Sequence, residues 1–233
     1  MLDKLKRDVW KANLDLVRHG LVVLTFGNAS GIDRKRGLVA IKPSGVGYED
    51  MKSEDMVLVG LDGRVIGGHL RPSSDTPTHL ALYRAFPAIG GIVHAHSPSA
   101  TAFAQARMPI PCLGTTHADH FAGPVPVTRM PRKSEVEADY EAATGAVIVE
   151  RFARLDPSAL PAVLVASHGP FAWGRTPGEA VHNAVSLELV ASMALVTRQL
   201  NPRAPALPAY VLRKHHERKH GPKAYYGQSK ERS

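Results

Sequence analysis

The sequence has few of the features that mark secreted, membrane or nucleotide-binding proteins. Cys112 is its one cysteine among 233 residues, which excludes an intrachain disulfide framework and a cysteine-based structural zinc site. No run of about 18 consecutive apolar residues is present, and the first twenty residues are charged throughout, unlike a signal peptide. The Walker pattern G-x-x-x-x-G-K-[ST] and the dinucleotide pattern G-x-G-x-x-G are both absent. We expect a cytoplasmic protein that does not enter a membrane.

Positive charge dominates but is unevenly distributed. The net charge is +8, and residues 203–233 account for +6 of it through eight Lys or Arg and two Glu. A basic tail of this kind is typical of a solvated helix face, although it also raises the alternative of a nucleic-acid-binding module. Because no zinc finger or RNA-binding signature accompanies it, we expect no nucleic-acid partner. A small anionic substrate suits the same charge.

The apolar pattern predicts a single α/β domain, with a central mixed, largely antiparallel sheet flanked by helices. Strands come in runs in the first half, and strict strand–helix alternation is missing, which argues against an all-parallel sheet. Strands are predicted near residues 21–33, 36–45, 56–68, 90–96, 124–130 and 161–174. Helices are predicted over 2–19, 74–86, 97–106, 133–155 with a break near Gly145, 177–200, and from about 209.

Three histidines follow apolar strand patterns and are candidate metal ligands. His94 and His96 lie two residues apart in "GGIVHAHSPSA", so on a strand they point to the same side. His168 ends another apolar strand before a Gly-Pro turn. Three imidazoles suit a divalent ion with an open position for catalysis, and Asp75 at a helix start is the best-placed carboxylate to join them. The alternative is a set of hydrogen-bonded core histidines.

Three turns rich in Gly, Ser and Asn could cradle a phosphate. They read "FGNASG", "KPSGV" and "PSSD", and supply backbone N–H groups and hydroxyls without bulk. Ordinary β-turns are the alternative for each turn alone, but three turns beside a metal site favour a phosphorylated substrate. A Schiff-base role for Lys42 is less favoured than a role in binding the phosphate. The candidate residues are Gly27, Asn28, Lys42, Ser44, Gly45, Ser73 and Ser74.

Candidate acid and base groups lie in two polar segments. Asp119 is in the middle of "GTTHADHF", and Tyr226 is in the tail segment "KAYYGQ". A carboxylate near a metal can move protons if burial raises its pKa, and a phenol can act as an acid beside cations. Terminal packing is the alternative for the tyrosine.

Taken together, these motifs resemble the class II aldolase and L-ribulose-5-phosphate 4-epimerase family. The likeness covers residues 1–228, leaving 229–233 as a C-terminal extension that we expect to be disordered. It is carried by "LTFGNASGID", "IKPSGV", "PSSDTPTH", "GGIVHAHS", "GTTHAD", "SHGPFAWG", "AVHNA" and "RKHGPKAYYGQ".

The resemblance implies a class II aldolase-like fold and a set of site roles. Metal ligands fall on Asp75, His94, His96 and His168, which would hold one divalent ion per subunit, Zn²⁺ first and Mn²⁺ or Co²⁺ as alternatives. The phosphate-binding loops fall on the turn residues above, and the acid/base pair on Asp119 and Tyr226. His215 and Arg218 line a site shared between subunits, so the resemblance also implies a homotetramer with active sites at subunit interfaces.

The resemblance further implies epimerase chemistry. In the family, aldolases that release cleaved products carry glutamate where this chain has Asp75. We therefore expect a metal-dependent epimerase that interconverts L-ribulose 5-phosphate and D-xylulose 5-phosphate, as in L-arabinose breakdown. A class II sugar-phosphate aldolase is the alternative.

Overall fold

The computed structural model describes residues 2–222 and 224–226 and shows a seven-stranded sheet. The strands are Asn28–Asp33 (β1), Leu38–Ile41 (β2), Val57–Gly60 (β3), Val65–Gly67 (β4), Gly91–His94 (β5), Ala162–Leu164 (β6) and Pro170–Gly174 (β7). Their order is β4-β3-β2-β1-β5-β7-β6, and every neighbouring pair is antiparallel. The predicted α/β domain with a largely antiparallel sheet is confirmed.

Seven helices surround this sheet in the described part of the chain. They are Leu2–Arg18 (α1), Thr76–Ala85 (α2), Pro98–Gln105 (α3), Thr115–Ala118 (α4), Lys133–Arg151 (α5), Pro177–Leu200 (α6) and Ala209–His220 (α7). Helices α1 and α6 pack on each other and on the sheet, and α2 packs on α5. Most of the buried apolar side chains form one continuous cluster between the sheet and these helices.

Helix α6 combines a buried face with high apolar content. By length and composition it could cross a membrane, since its mean hydropathy over 18 residues is 1.4. Its residues Leu187, Val190 and Ala191 are buried, and it packs on β5 and β7. A helix that covers a sheet in a protein core has the same composition.

Two of the predicted strands are shorter or less regular in the structure. The first strand begins at Asn28 and not near residue 21. The segment 124–130 makes only isolated bridges, from Val125 to Ile110 and from Val127 to Leu164. Pro124 and Pro126 explain the second difference, because proline has no N–H to donate to a continuous ladder.

The break in α5 lies at Asp139 and not at Gly145. Asp139 has φ −169° and ψ 104°, outside the helical region. Gly145 continues the helix, and a Cβ placed there would come within 2.6 Å of the Ala81 Cβ on α2. The glycine therefore permits close approach of two helices. The predicted extension at 229–233 lies outside the described residues.

Candidate metal and substrate site

The three predicted histidines converge at one end of the sheet. His94 is the last residue of β5, His96 follows it by two residues, and His168 lies in the turn that joins β6 to β7. Their potential ligand atoms all lie within 4.8 Å of one another, and the Nε2 atoms of His94 and His96 are 3.0 Å apart. Because β5 pairs directly with β7, the sheet itself brings histidines 74 residues apart in sequence into contact.

Hydrogen bonding fixes the orientation of His94. Its Nδ1 is 3.0 Å from the Pro170 carbonyl oxygen, which can only accept, so Nδ1 carries the hydrogen and Nε2 keeps a lone pair. The ring also stacks on Phe171, with centroids 4.2 Å apart. His94 therefore presents its Nε2 lone pair to the other two histidines.

Burial favours the neutral imidazole at two of these histidines, His96 and His168. It lowers the pKa of His168 to about 4, with further lowering from His94 and His96, and it also lowers the pKa of His96. Neutral imidazole is the form that binds a metal ion. Three clustered imidazoles fit a divalent ion of the zinc, manganese or cobalt type.

Asp75 lies beside the histidines and is held by an amide. It immediately precedes α2, and the Asn28 Nδ2 donates to its Oδ2 at 2.6 Å and to Ser73 Oγ at 3.1 Å. Burial raises the pKa of the Asp75 carboxyl, but His94, His79 and the Asn28 hydrogen bond lower it, and the net shift is downward. Asp75 is thus an ionised group at the edge of the histidine cluster.

A cavity of about 430 Å³ joins the histidine cluster to the three predicted turns. Its walls contain all seven candidate phosphate-contacting residues and all four candidate metal ligands. Those lining residues are Gly27, Asn28, Lys42, Ser44, Gly45, Ser73, Ser74, Asp75, His94, His96 and His168. The turns that are separate in sequence therefore face one space.

Lys42 provides a buried cation at this cavity. The residue is 2% exposed, and its Nζ donates to the Val46 carbonyl at 2.7 Å and to the Pro43 carbonyl at 3.3 Å. Burial lowers the pKa of the ammonium group. Within the described residues, the ammonium group donates to neutral carbonyls and to no carboxylate. A buried positive charge of this kind suits an anionic ligand.

Gly27 permits the close approach of the first turn to the metal cluster. Its φ is +87°, and a Cβ there would lie 2.8 Å from the His94 carbonyl oxygen. Any larger residue at this position would adopt an unfavourable backbone conformation and would also clash with the His94 carbonyl oxygen.

The predicted acid/base residues form a second cluster outside this cavity. Arg218 donates to Asp119 through Nε at 2.9 Å and Nη2 at 2.5 Å, and the His215 Nδ1 is 3.1 Å from the same carboxylate. The Tyr226 ring lies under the Arg218 and Lys219 cations, at 5.1 and 4.5 Å. Asp119 and these tail residues therefore contact one another within one chain, and none of them lines the cavity of His94, His96 and His168.

The hydrogen bonds around Asp119 lower the pKa of its carboxyl. Burial alone raises the pKa of its carboxyl, but hydrogen bonds from Arg218 and His215 outweigh that effect and the net shift is downward. Asp119 is therefore ionised, and its hydrogen bonds with Arg218 and His215 hold α7.

Tyr140 and Glu141 are among the cavity residues that the sequence did not indicate as site residues. The Tyr140 hydroxyl lies 3.2 Å from His168 Nδ1. Both residues follow the break at Asp139, which turns the chain towards the site. Aspartate is a favoured helix N-cap residue, so Asp139 is a signal for a helix start. The helical pattern of the sequence continues on both sides of Asp139, which hides that signal.

Comparison with known proteins agrees with this geometry. Residues 7–195 match the family model described as Class II Aldolase and Adducin N-terminal domain. The chain belongs to the class II aldolase family. The predicted family and fold are confirmed.

Individual relatives of this class II aldolase family member carry two kinds of name. The L-ribulose-5-phosphate 4-epimerase UlaF proteins of Salmonella paratyphi B and Salmonella typhi are each 56% identical over 97% of this chain and 100% of their own length. A solved L-fuculose 1-phosphate aldolase matches with a TM-score of 0.78 and 27% identity, over 92% of this chain and 95% of that one. The prediction that the chain is an enzyme of the epimerase type is confirmed by these relatives.

Proposed function

We propose that this protein interconverts L-ribulose 5-phosphate and D-xylulose 5-phosphate. The observation that carries the proposal is the single cavity in which three histidines, Asp75 and three phosphate-type turns converge. Relatives 56% identical along nearly the whole chain are named for this reaction. The reaction would serve pentose breakdown such as that of L-arabinose.

Inversion at C4 requires more than simple deprotonation, because the C4–H bond is not adjacent to the C2 carbonyl. Breaking the C3–C4 bond, turning the aldehyde fragment over and re-forming the bond inverts C4 without that step. The site must then stabilise charge on the ketose half, transfer protons at the aldehyde oxygen and retain both fragments. Each demand corresponds to a group of residues in this chain.

The histidines and Asp75 would hold the ion, and the turns would hold the phosphate. A divalent ion bound there supplies a Lewis acid that stabilises the negative charge left on the ketose half. Lys42 contributes a cation, and the turns at Ser44 and Ser74 contribute small polar groups around an anion. We propose Zn²⁺ as the resident ion, with Mn²⁺ and Co²⁺ as functional substitutes.

Asp119 and Tyr226 would act at the metal cavity of a neighbouring subunit. They lie with His215 and Arg218 and do not line the cavity of their own chain, which supports a role across a subunit interface. We propose a homotetramer in which this tail cluster completes the next subunit's site. Asp119 would accept a proton on one face of the aldehyde, and Tyr226 would donate on the other.

A sugar-phosphate aldolase is the second candidate. The structural match to L-fuculose 1-phosphate aldolase favours it, because the same ion and turns would support cleavage with release of both fragments. Asp75 in place of glutamate favours the epimerase.

The deciding experiment is an assay with L-ribulose 5-phosphate before chelation, after chelation and after metal is restored. We expect D-xylulose 5-phosphate to form, to stop forming with chelator and to return with Zn²⁺ or Mn²⁺. Net release of dihydroxyacetone and glycolaldehyde phosphate, with no epimer, would establish the aldolase instead. Turnover that persists in chelator would exclude the metal-dependent route.

A further inference from the structure

Tyr140 reaches the metal site because α5 is broken immediately before it. Asp139 leaves the helical conformation, and its Oδ1 accepts a hydrogen bond from the Ala142 N–H at 2.9 Å. This is the geometry of a helix N-cap, so α5 restarts with Tyr140 and Glu141 in its first turn. Both residues line the histidine cavity, and Tyr140 is 38% exposed there.

The Tyr140 hydroxyl is paired with a candidate metal ligand. It lies 3.2 Å from Nδ1 of His168, with the two rings 5.8 Å apart. Because Nδ1 is engaged by the phenol, Nε2 is the His168 nitrogen left for an ion. A neutral imidazole that binds through Nε2 carries its hydrogen on Nδ1 and donates it to an outer partner.

This hydrogen-bond direction leaves the phenol with a free hydrogen. The oxygen of Tyr140 accepts from His168, so its own O–H has to find another acceptor. The cavity beside it is lined by polar turns and would hold a ligand rich in hydroxyl, carbonyl and phosphate oxygens. The O–H can therefore donate to that ligand.

We propose that Tyr140 is a positioning residue that links the metal ligand His168 to the bound sugar phosphate, accepting from Nδ1–H and donating its own hydrogen to a substrate oxygen. The inference rests on the proposed metal site and substrate class. It adds a residue whose contribution comes from the described chain itself and not from a neighbouring subunit.

The test is Tyr140→Phe, which removes one oxygen and keeps the ring. We expect the Kd for Zn²⁺, measured by competition with a chromophoric chelator, to rise about tenfold, the lower range for lost outer-shell partners of metal ligands. The visible spectrum of the Co²⁺-substituted protein should shift, because the orientation of His168 changes. The KM for L-ribulose 5-phosphate should rise by a similar factor at saturating metal.

The matched control is Tyr210→Phe, because Tyr210 lies in α7 and is 71% exposed. This substitution should leave the Kd for Zn²⁺, the Co²⁺ spectrum and the KM at the wild-type level. A Tyr140→Phe protein with wild-type Zn²⁺ affinity and Co²⁺ spectrum would overturn the link to His168. Lowered metal affinity with an unchanged KM would overturn the link to substrate. If the wild type bound zinc but did not epimerise, the metal measurements would still decide the His168 link, so the two proposals fail separately.

Discussion

At the scale of single residues, Lys42 shows how a buried charge can be kept for a ligand. Its ammonium group is buried among the carbonyls of Val46 and Pro43, which stabilise it less than a carboxylate would. A phosphate entering the cavity would provide the missing negative charge. The lysine is therefore a binding group whose burial costs the free protein stability.

The corresponding prediction concerns Lys42→Met, which keeps length and removes charge. We expect KM for the sugar phosphate to rise about 10- to 100-fold, because a charge-assisted hydrogen bond contributes ~1.5–3 kcal/mol. The Tm of the ligand-free protein should not fall, since a costly buried charge is gone. Steady-state kinetics and thermal unfolding measure the two effects.

The exposed Lys35 offers a matched control, and Lys35→Met should leave KM unchanged. An unchanged KM in Lys42→Met would remove the lysine from phosphate binding. A covalent adduct trapped by borohydride with substrate would instead support the Schiff-base alternative.

At the scale of elements, helix α7 depends on polar contacts more than on apolar burial. None of its residues is buried, and it packs mainly on α4, where Asp119 receives Arg218 and His215. The Asp119 main-chain oxygen also accepts from His220 Nε2 at 2.9 Å. One carboxylate therefore fixes the helix that carries the proposed acid Tyr226.

We predict that Asp119→Asn loosens α7 and lowers epimerisation. Loss of the charged pair should increase amide hydrogen exchange in residues 209–220 by about tenfold or more. Turnover should fall by a factor on the order of 10²–10⁴, the usual effect of removing an acid or base.

Tyr226→Phe separates the two effects. It should lower turnover on the same scale while hydrogen exchange in α7 stays at the wild-type level, because the ring and its contact with Arg218 remain. A fully active Tyr226→Phe protein would remove this tyrosine from the mechanism, and unchanged α7 exchange in Asp119→Asn would show that other contacts hold the helix.

At the scale of the whole molecule, buried histidines make stability depend on pH. Burial lowers the pKa of His79 to about 3, of His120 to about 4 and of His168 to about 4, against an ordinary value of 6.5. As pH falls through 6.5, the unfolded chain gains protons at these histidines that the folded protein does not accept. The free energy of unfolding must therefore decrease as the pH is lowered from 6.5.

We predict that the metal-free protein loses stability between pH 6.5 and pH 4. His79 alone should contribute about 1.4 kcal/mol per pH unit once its unfolded form is charged. Urea denaturation at pH 7 and pH 5 measures the change. In His79→Gln the pH dependence should be smaller, whereas the exposed His19→Gln should retain it, and a pH-independent wild type would contradict the assignment.

Much of the fold and the candidate metal cluster could be predicted because their signals are local. The apolar run before His94, the helix start at Asp75, and the spacing of His94 and His96 depend on neighbouring residues only. The errors came where a longer-range contact decided the conformation. Gly145 reads as a helix break, but packing against Ala81 makes it a site of close helix approach.

The sequence by itself determined which groups this protein has: one cysteine, three strand-associated histidines, three small polar turns and a basic tail. The tertiary structure decided which of them meet. Pairing of β5 with β7 places His168 against His94, the break at Asp139 adds Tyr140, and α7 packs against Asp119 outside the cavity of these histidines. These outcomes depend on strand register and helix packing between segments far apart in sequence, and local pattern contains no information about either.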